Sequence, residues 1–145
     1  MKRWYETGAV LHTTHCELYL AESFLREAQA IPARVHLERA RAHRASYGEE
    51  YLAAEIERLE SLLAKSAQAP AEVVEEYLLS SLLIARRQGA RLFELRSATT
   101  LARMLFEQGQ RQKATDVLAP VYGWFTEGFD TSDLKEARAL LDEQA

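Results

Sequence analysis

The chain has 145 residues, with 18 Lys+Arg against 22 Asp+Glu for a formal net charge of −4. Ala, Leu, Glu and Arg supply 76 of those residues and Gly plus Pro only 9, a mixture that favours helix and starves strands of β-branched residues. This argues against a sheet-based architecture, while 48% hydrophobic content argues against a disordered tail and the slight acidity against a general nucleic-acid binder.

Gly8, Pro32, Gly48, Pro70, Gly89, Gly109, Gly123 and Gly128 punctuate the chain, and apolar residues recur three or four apart between them. Such stripes predict amphipathic helices. The first, about residues 9–30, places Leu18, Ala21, Phe24, Leu25 and Ala28 on one side. A second follows Pro32, with Val35, Leu37 and Ala40 facing inward. The third (49–67) carries Leu52, Ile56, Leu59, Leu62 and Leu63, and the fourth (71–88) carries Val74, Leu78, Ser81, Leu82 and Ala85. The fifth (92–108) carries Leu95, Ala98, Leu101, Ala102 and Leu105; a sixth covers 111–126 and a seventh about 131–143. Gly89 after Arg86-Arg87 suits a helix C-terminus, and Gly128 before Phe129 suits a second one. Pro120 inside the sixth segment predicts a kink and an unpaired carbonyl near Asp116.

The longest nearly apolar stretch, residues 77–85, holds two serines and is far short of the roughly 20 residues that span a bilayer. Glu6, His12 and Glu17 interrupt any signal-peptide core, and the single Cys16 has no internal disulfide partner, so a reducing cytoplasm is the expected compartment. His12, His15 and Cys16 are metal-ligand types on one helical segment, but no second ligand cluster follows, so surface histidines beside a buried cysteine are expected and no metal. His36 and His43, seven apart and expected in solvent, make the second helix basic together with Arg34, Arg39, Arg41 and Arg44. Two readings stand: an acidic-ligand face, or a solvated face whose arginines pair with neighbouring Glu-rich helices. Tyr122, Trp124, Phe125 and Phe129 are expected to seal one end of the stack, with Leu134, Ala137, Leu140 and Leu141 as its lid.

The segments pair. Ala21 and Ala33 lie twelve apart, as do Ala102 and Ala114, and Leu20, Phe24 and Leu37 match Leu101, Leu105 and Leu118. On these positions the chain resembles the tetratricopeptide repeat, a helix–turn–helix unit of about 34 residues, with a longer turn around Ser66 to Pro70 that stretches the local period to about forty. The pattern places repeats at about 14–47, 54–90 and 95–128, behind a lead-in at 1–13 and before a capping helix at about 131–143, all in one domain. The run 84–90, Glu94-Leu95-Arg96, Leu101-Ala102-Arg103 and then 118–131 resembles the C-terminal repeat tail of bacterial proteins related to class III adenylate/guanylate cyclases and predicted-ATPase regulators. The resemblance implies an all-α, right-handed superhelix of three helix pairs plus a cap. It carries over no catalytic residue, because the chain has neither a phosphate-binding Gly-x-x-x-x-Gly-Lys-Ser/Thr loop nor a metal-binding aspartate pair.

The same resemblance implies a partner groove lined by the first helix of each pair. Its positions fall on His15, Leu18, Glu22 and Arg26, on Glu55, Arg58, Leu62 and Lys65, and on Arg96, Thr99, Arg103 and Glu107. Five cations against three carboxylates predict a groove for a protein or peptide of acidic character, unless the charges merely pair with one another across adjacent helices. The expected function is therefore a non-enzymatic interaction scaffold needing no cofactor and engaging neither nucleic acid nor membrane. Two alternatives remain. Trp4, Tyr5, Val10 and Leu11 offer an apolar face for a homodimer, or the chain is a fragment of a nucleotide-cyclase or ATPase regulator without activity of its own.

Overall fold

The computed structural model describes residues 13–144, and among them no strand forms. Seven α-helices follow in order: α1 (Thr13–Arg26), α2 (Ala30–Tyr47), α3 (Ala53–Ser66), α4 (Ala71–Gln88), α5 (Arg91–Glu107), α6 (Arg111–Tyr122) and α7 (Ser132–Gln144), with a 3₁₀ turn at Glu50–Leu52 before α3. The lead-in residues Trp4, Tyr5, Val10 and Leu11, and His12 with them, lie outside the described residues.

Consecutive helices pack as antiparallel hairpins: α1 on α2, α3 on α4, α5 on α6. Each hairpin then stacks on the next through its first helix, so α3 touches α1 and α2, α5 touches α3 and α4, and α7 touches α5 and α6. The three turns inside the hairpins share one backbone solution. A left-handed residue stands at Ala28 (φ 57°), Gln68 (φ 57°) and Gly109 (φ 76°). The next N–H, of Gln29, Ala69 and Gln110, bonds back to the carbonyl of Phe24, Ala64 and Leu105 at 2.8, 3.0 and 2.8 Å. This doubly bonded ending satisfies carbonyls that a helix terminus leaves bare. The repeat is thus 40 and then 41 residues, longer than the 34 of the tetratricopeptide unit.

Packing keeps the same period. Ala21, Ser61 and Ala102 are fully buried in phase, as are Leu37, Leu78 and Leu118 on the second helices. Side chains this small let α1, α3 and α5 approach their partners closely, with the leucines filling the space between hairpins. Two apolar clusters result. One gathers Leu18, Leu37, Ile56 and Leu59 from α1–α3, and the other gathers Leu78, Leu95, Leu101, Leu118 and Leu134 from α4–α7. Where α3, α4 and α5 meet, the buried Ser81 hydroxyl donates to the Ala54 carbonyl at 2.6 Å and lies 2.6 Å from the Ser97 hydroxyl.

Several expected placements change. Val35 is exposed because it stands two residues, about 200° of helix, from both Ala33 and Leu37. Cys16 is exposed for the same reason, standing two residues from buried Thr14 and Leu18. Ala28 is exposed because α1 has ended at Arg26. The sixth helix stops at Tyr122 rather than near residue 126, so the left-handed Gly128 belongs to the turn before α7 and ends no helix. Tyr122 and Phe125 pack on the core as expected, whereas Trp124 is 56% exposed over the Arg91 guanidinium and Phe129 is also exposed.

Candidate functional site

The first helices of the three pairs, with the start of α7, surround a cavity of about 880 Å³. Of the twelve groove residues expected from sequence, eight line it: Glu22, Arg26, Arg58, Leu62, Lys65, Arg96, Thr99 and Arg103. His15, Leu18 and Glu55 line a small adjoining recess, and Glu107 pairs with Lys65. Leu25, partly buried, adds apolar floor beside Leu62.

The charges divide into a buried chain and an exposed rim. Arg58 stands forty residues from Leu18 and forty-one from Thr99, at a position those neighbours also bury. Its side chain is only 7% exposed. Arg58 donates to Glu55 from Nε (3.0 Å) and Nη2 (2.7 Å), and from Nη2 also to Glu22 at 2.9 Å. Glu55 accepts a further bond from Arg96 Nη1 at 3.3 Å, and Arg96 grips Asp133 at the start of α7 with two bonds of 2.9 and 3.1 Å. One chain of ion pairs therefore runs Glu22–Arg58–Glu55–Arg96–Asp133 and ties α1, α3, α5 and α7 together.

Burial works against the Arg58 charge, but Glu55 and then Glu22 more than compensate, so the guanidinium binds its proton above the ordinary arginine value. Burial likewise pushes the Glu22 carboxyl up, and the Arg58 and Arg26 guanidinia overcome it, leaving Glu22 below the usual carboxylate range. Arg96 is raised in the same manner: burial lowers it, and Asp133 and Glu55 outweigh that, with Arg58 opposing.

At the rim, Lys65 reaches Glu107 at 2.6 Å with both side chains 49% exposed, and Arg103 reaches Glu136 at 2.6 Å with both 48% exposed. Arg26, the most exposed of the groove cations, contacts Glu22 at 3.3 Å. Asp133 and Glu136 of α7 did not enter the sequence-based groove, which was laid on the first helices of three pairs. With them the five cations face five carboxylates, and the net positive charge expected of this surface is cancelled. The signal that would have found them is phase: Leu134, Ala137 and Leu140 repeat Leu95, Ala98 and Leu101 at 39 residues, so α7 occupies the place of a first helix.

The basic second helix is engaged rather than open at two points, Arg41 with Glu60 of α3 at 3.1 Å and Arg44 with Glu50 at 2.6 Å. Burial raises the Glu60 carboxyl, with Arg41 opposing and Glu57 reinforcing. His36, expected in solvent, instead stacks on Phe24 and sits 2.6 Å from the fully buried Glu17. It stands one residue from Leu37 and so faces the edge of α1. Among the described residues no group of His, Cys, Asp and Glu is arranged to hold a metal, and no helix is long and apolar enough to cross a membrane. Compared with known proteins, the chain matches no family model, no curated protein and no solved structure.

Proposed function

We propose that this protein is a non-catalytic scaffold of the tetratricopeptide kind, with a lengthened repeat, that receives a partner protein segment in the cavity between its first helices. The observation that carries the reading is the combination at that cavity: about 880 Å³ of open space, a partly buried apolar floor at Leu25 and Leu62, and half-exposed cations around it. A ligand pocket of a few hundred Å³ or more with few oriented polar groups is the usual form of a binding site. The buried ion-pair chain fixes the walls beforehand, so little of the binding free energy is spent on ordering them. A reducing compartment such as the cytoplasm suits the exposed, unpaired Cys16.

The test separates rim from walls. Arg58 and Arg96 hold helices together, so reversing them would damage the fold; Arg26, Lys65 and Arg103 are exposed, so they are the ones reversed, with circular dichroism checking that the variant folds. Affinity capture from a native cell extract with wild type and with Arg26→Glu/Lys65→Glu/Arg103→Glu is expected to retain a partner on wild type alone. That retention should weaken as salt rises, since exposed charges are screened within about 10 Å at 0.1 M. Equal capture by both baits rejects the groove.

A further inference from the structure

The rim pairs differ from the buried chain in a way that specifies the partner. Arg58 and Arg96 each satisfy two carboxylates and are largely enclosed, so they are walls. Lys65 and Arg103 each hold a single, half-exposed carboxylate of their own chain, Glu107 and Glu136. Pairs of this exposed type shift an equilibrium by only about two- to fivefold, so an incoming carboxylate can replace either one. Glu107, the acid that Lys65 reaches, follows Arg103 by four residues on α5, about 6 Å of helix rise, so Lys65 meets α5 one helical turn beyond the root of Arg103.

The molecule already shows what such a row accepts. α7 presents Asp133 to Arg96 and Glu136 to Arg103, acids three residues apart on one helix, while Leu134 and Ala137 between and beside them are buried. Helix α5 thus seats an acidic, apolar-edged helix of its own chain along its cations.

Resting on the groove reading above, we propose that Lys65 and Arg103 read a partner helix carrying two carboxylates one turn apart, and that Glu107 and Glu136 are internal competitors which the partner displaces. The partner is an acidic amphipathic segment whose apolar edge lies toward Leu25 and Leu62.

Two synthetic peptides of about 20 residues, long enough to be helical, test this. They share one Leu/Ala/Glu composition; one has Glu at i and i+4 beside its leucines, and the other spreads the same glutamates over opposite faces. Each is titrated by fluorescence anisotropy against the full chain. The paired peptide is expected to bind wild type, to bind Glu107→Gln/Glu136→Gln at least about fourfold more tightly, and to lose at least about tenfold on Lys65→Gln/Arg103→Gln. Glu72→Gln/Glu76→Gln on α4 changes net charge equally and should leave binding unchanged, with circular dichroism confirming the fold of every variant. Equal binding of both peptides, equal gain in the α4 control, or no binding at millimolar concentration overturns the proposal. If capture from extract still depends on Arg26, Lys65 and Arg103 in that event, the groove survives and only the helix-reading mechanism falls.

Discussion

Arg58 is a charge at a position where the neighbouring repeats bury Leu18 and Thr99, and it persists there because two carboxylates neutralise it. Breaking a buried pair from one side costs far more than the pair contributes, because the other charge is left enclosed. Arg58→Leu should therefore lower unfolding free energy by about 3–5 kcal/mol in chemical denaturation. Adding Glu55→Gln should recover part of that loss. Glu22 makes a second prediction. Its folded pKa lies below its unfolded one, so its contribution to stability is complete above the unfolded value of about 4.3 and is lost as pH falls through the folded one. The difference in melting temperature between wild type and Glu22→Gln should be constant at pH 5–7 and shrink below about pH 4. A difference that persists at low pH would assign Glu22 a packing role only. The sequence set Arg58 level with Leu18 and Thr99 and allowed that the groove charges pair across adjacent helices, as they do. Which acid meets which cation, and that Arg58 is enclosed between Glu55 and Glu22, depends on side-chain directions that residue spacing does not carry.

At the scale of the element, the turns decide the period. Ala28 and Gln68 hold the left-handed state that Gly109 occupies at the third equivalent turn, and a side chain there crowds the following carbonyl. Gln68→Gly should raise stability by about 0.5–1 kcal/mol, and Gly89→Ala, at φ 64°, should lower it by about 1 kcal/mol. Thermal melts of the two variants should move in opposite directions; a common direction would mean that helix propensity outweighs turn geometry. Helix ends followed the glycines at Gly48, Gly89 and Gly109. The boundaries failed at Pro32, which lies in the first turn of α2 rather than before it, after Tyr122, where Gly123 ends the helix although Trp-Phe keeps helical-looking spacing, and at residue 28, where a non-glycine takes the left-handed state that spacing cannot reveal.

Across the whole molecule, apolar burial is split into two clusters joined by Ala64 of α3 and Phe93 of α5, by the Ser81 hydrogen bond to Ala54 and by the ion-pair chain. Leu37→Ala and Leu118→Ala each remove a fully buried side chain from a different cluster and should each cost about 2–5 kcal/mol. Because they share no neighbours within a cluster, the double variant should lose the sum to within about 0.5 kcal/mol. A coupling larger than that would show that the two clusters respond as one. The all-helical, paired architecture was readable from composition and periodicity alone. The electrostatic balance of the cavity was not, since two of its ten charged groups come from α7, a helix whose position depends on a turn that the spacing of residues 111–126 obscured.

Gly89 and Gly128 enter α5 and α7 in the same left-handed state, 39 residues apart, and the buried faces of the two helices coincide at that offset. The segment 90–128 is consequently a cassette whose two ends meet in register. Splicing a second copy behind Gly128 would set Glu94 and Ser97 of the copy where Asp133 and Glu136 now meet Arg96 and Arg103, and would extend the cavity by one hairpin with the capping helix at the new end. Groove length in this architecture is a copy number, and each added copy brings one new seam, between α6 and the copied α5.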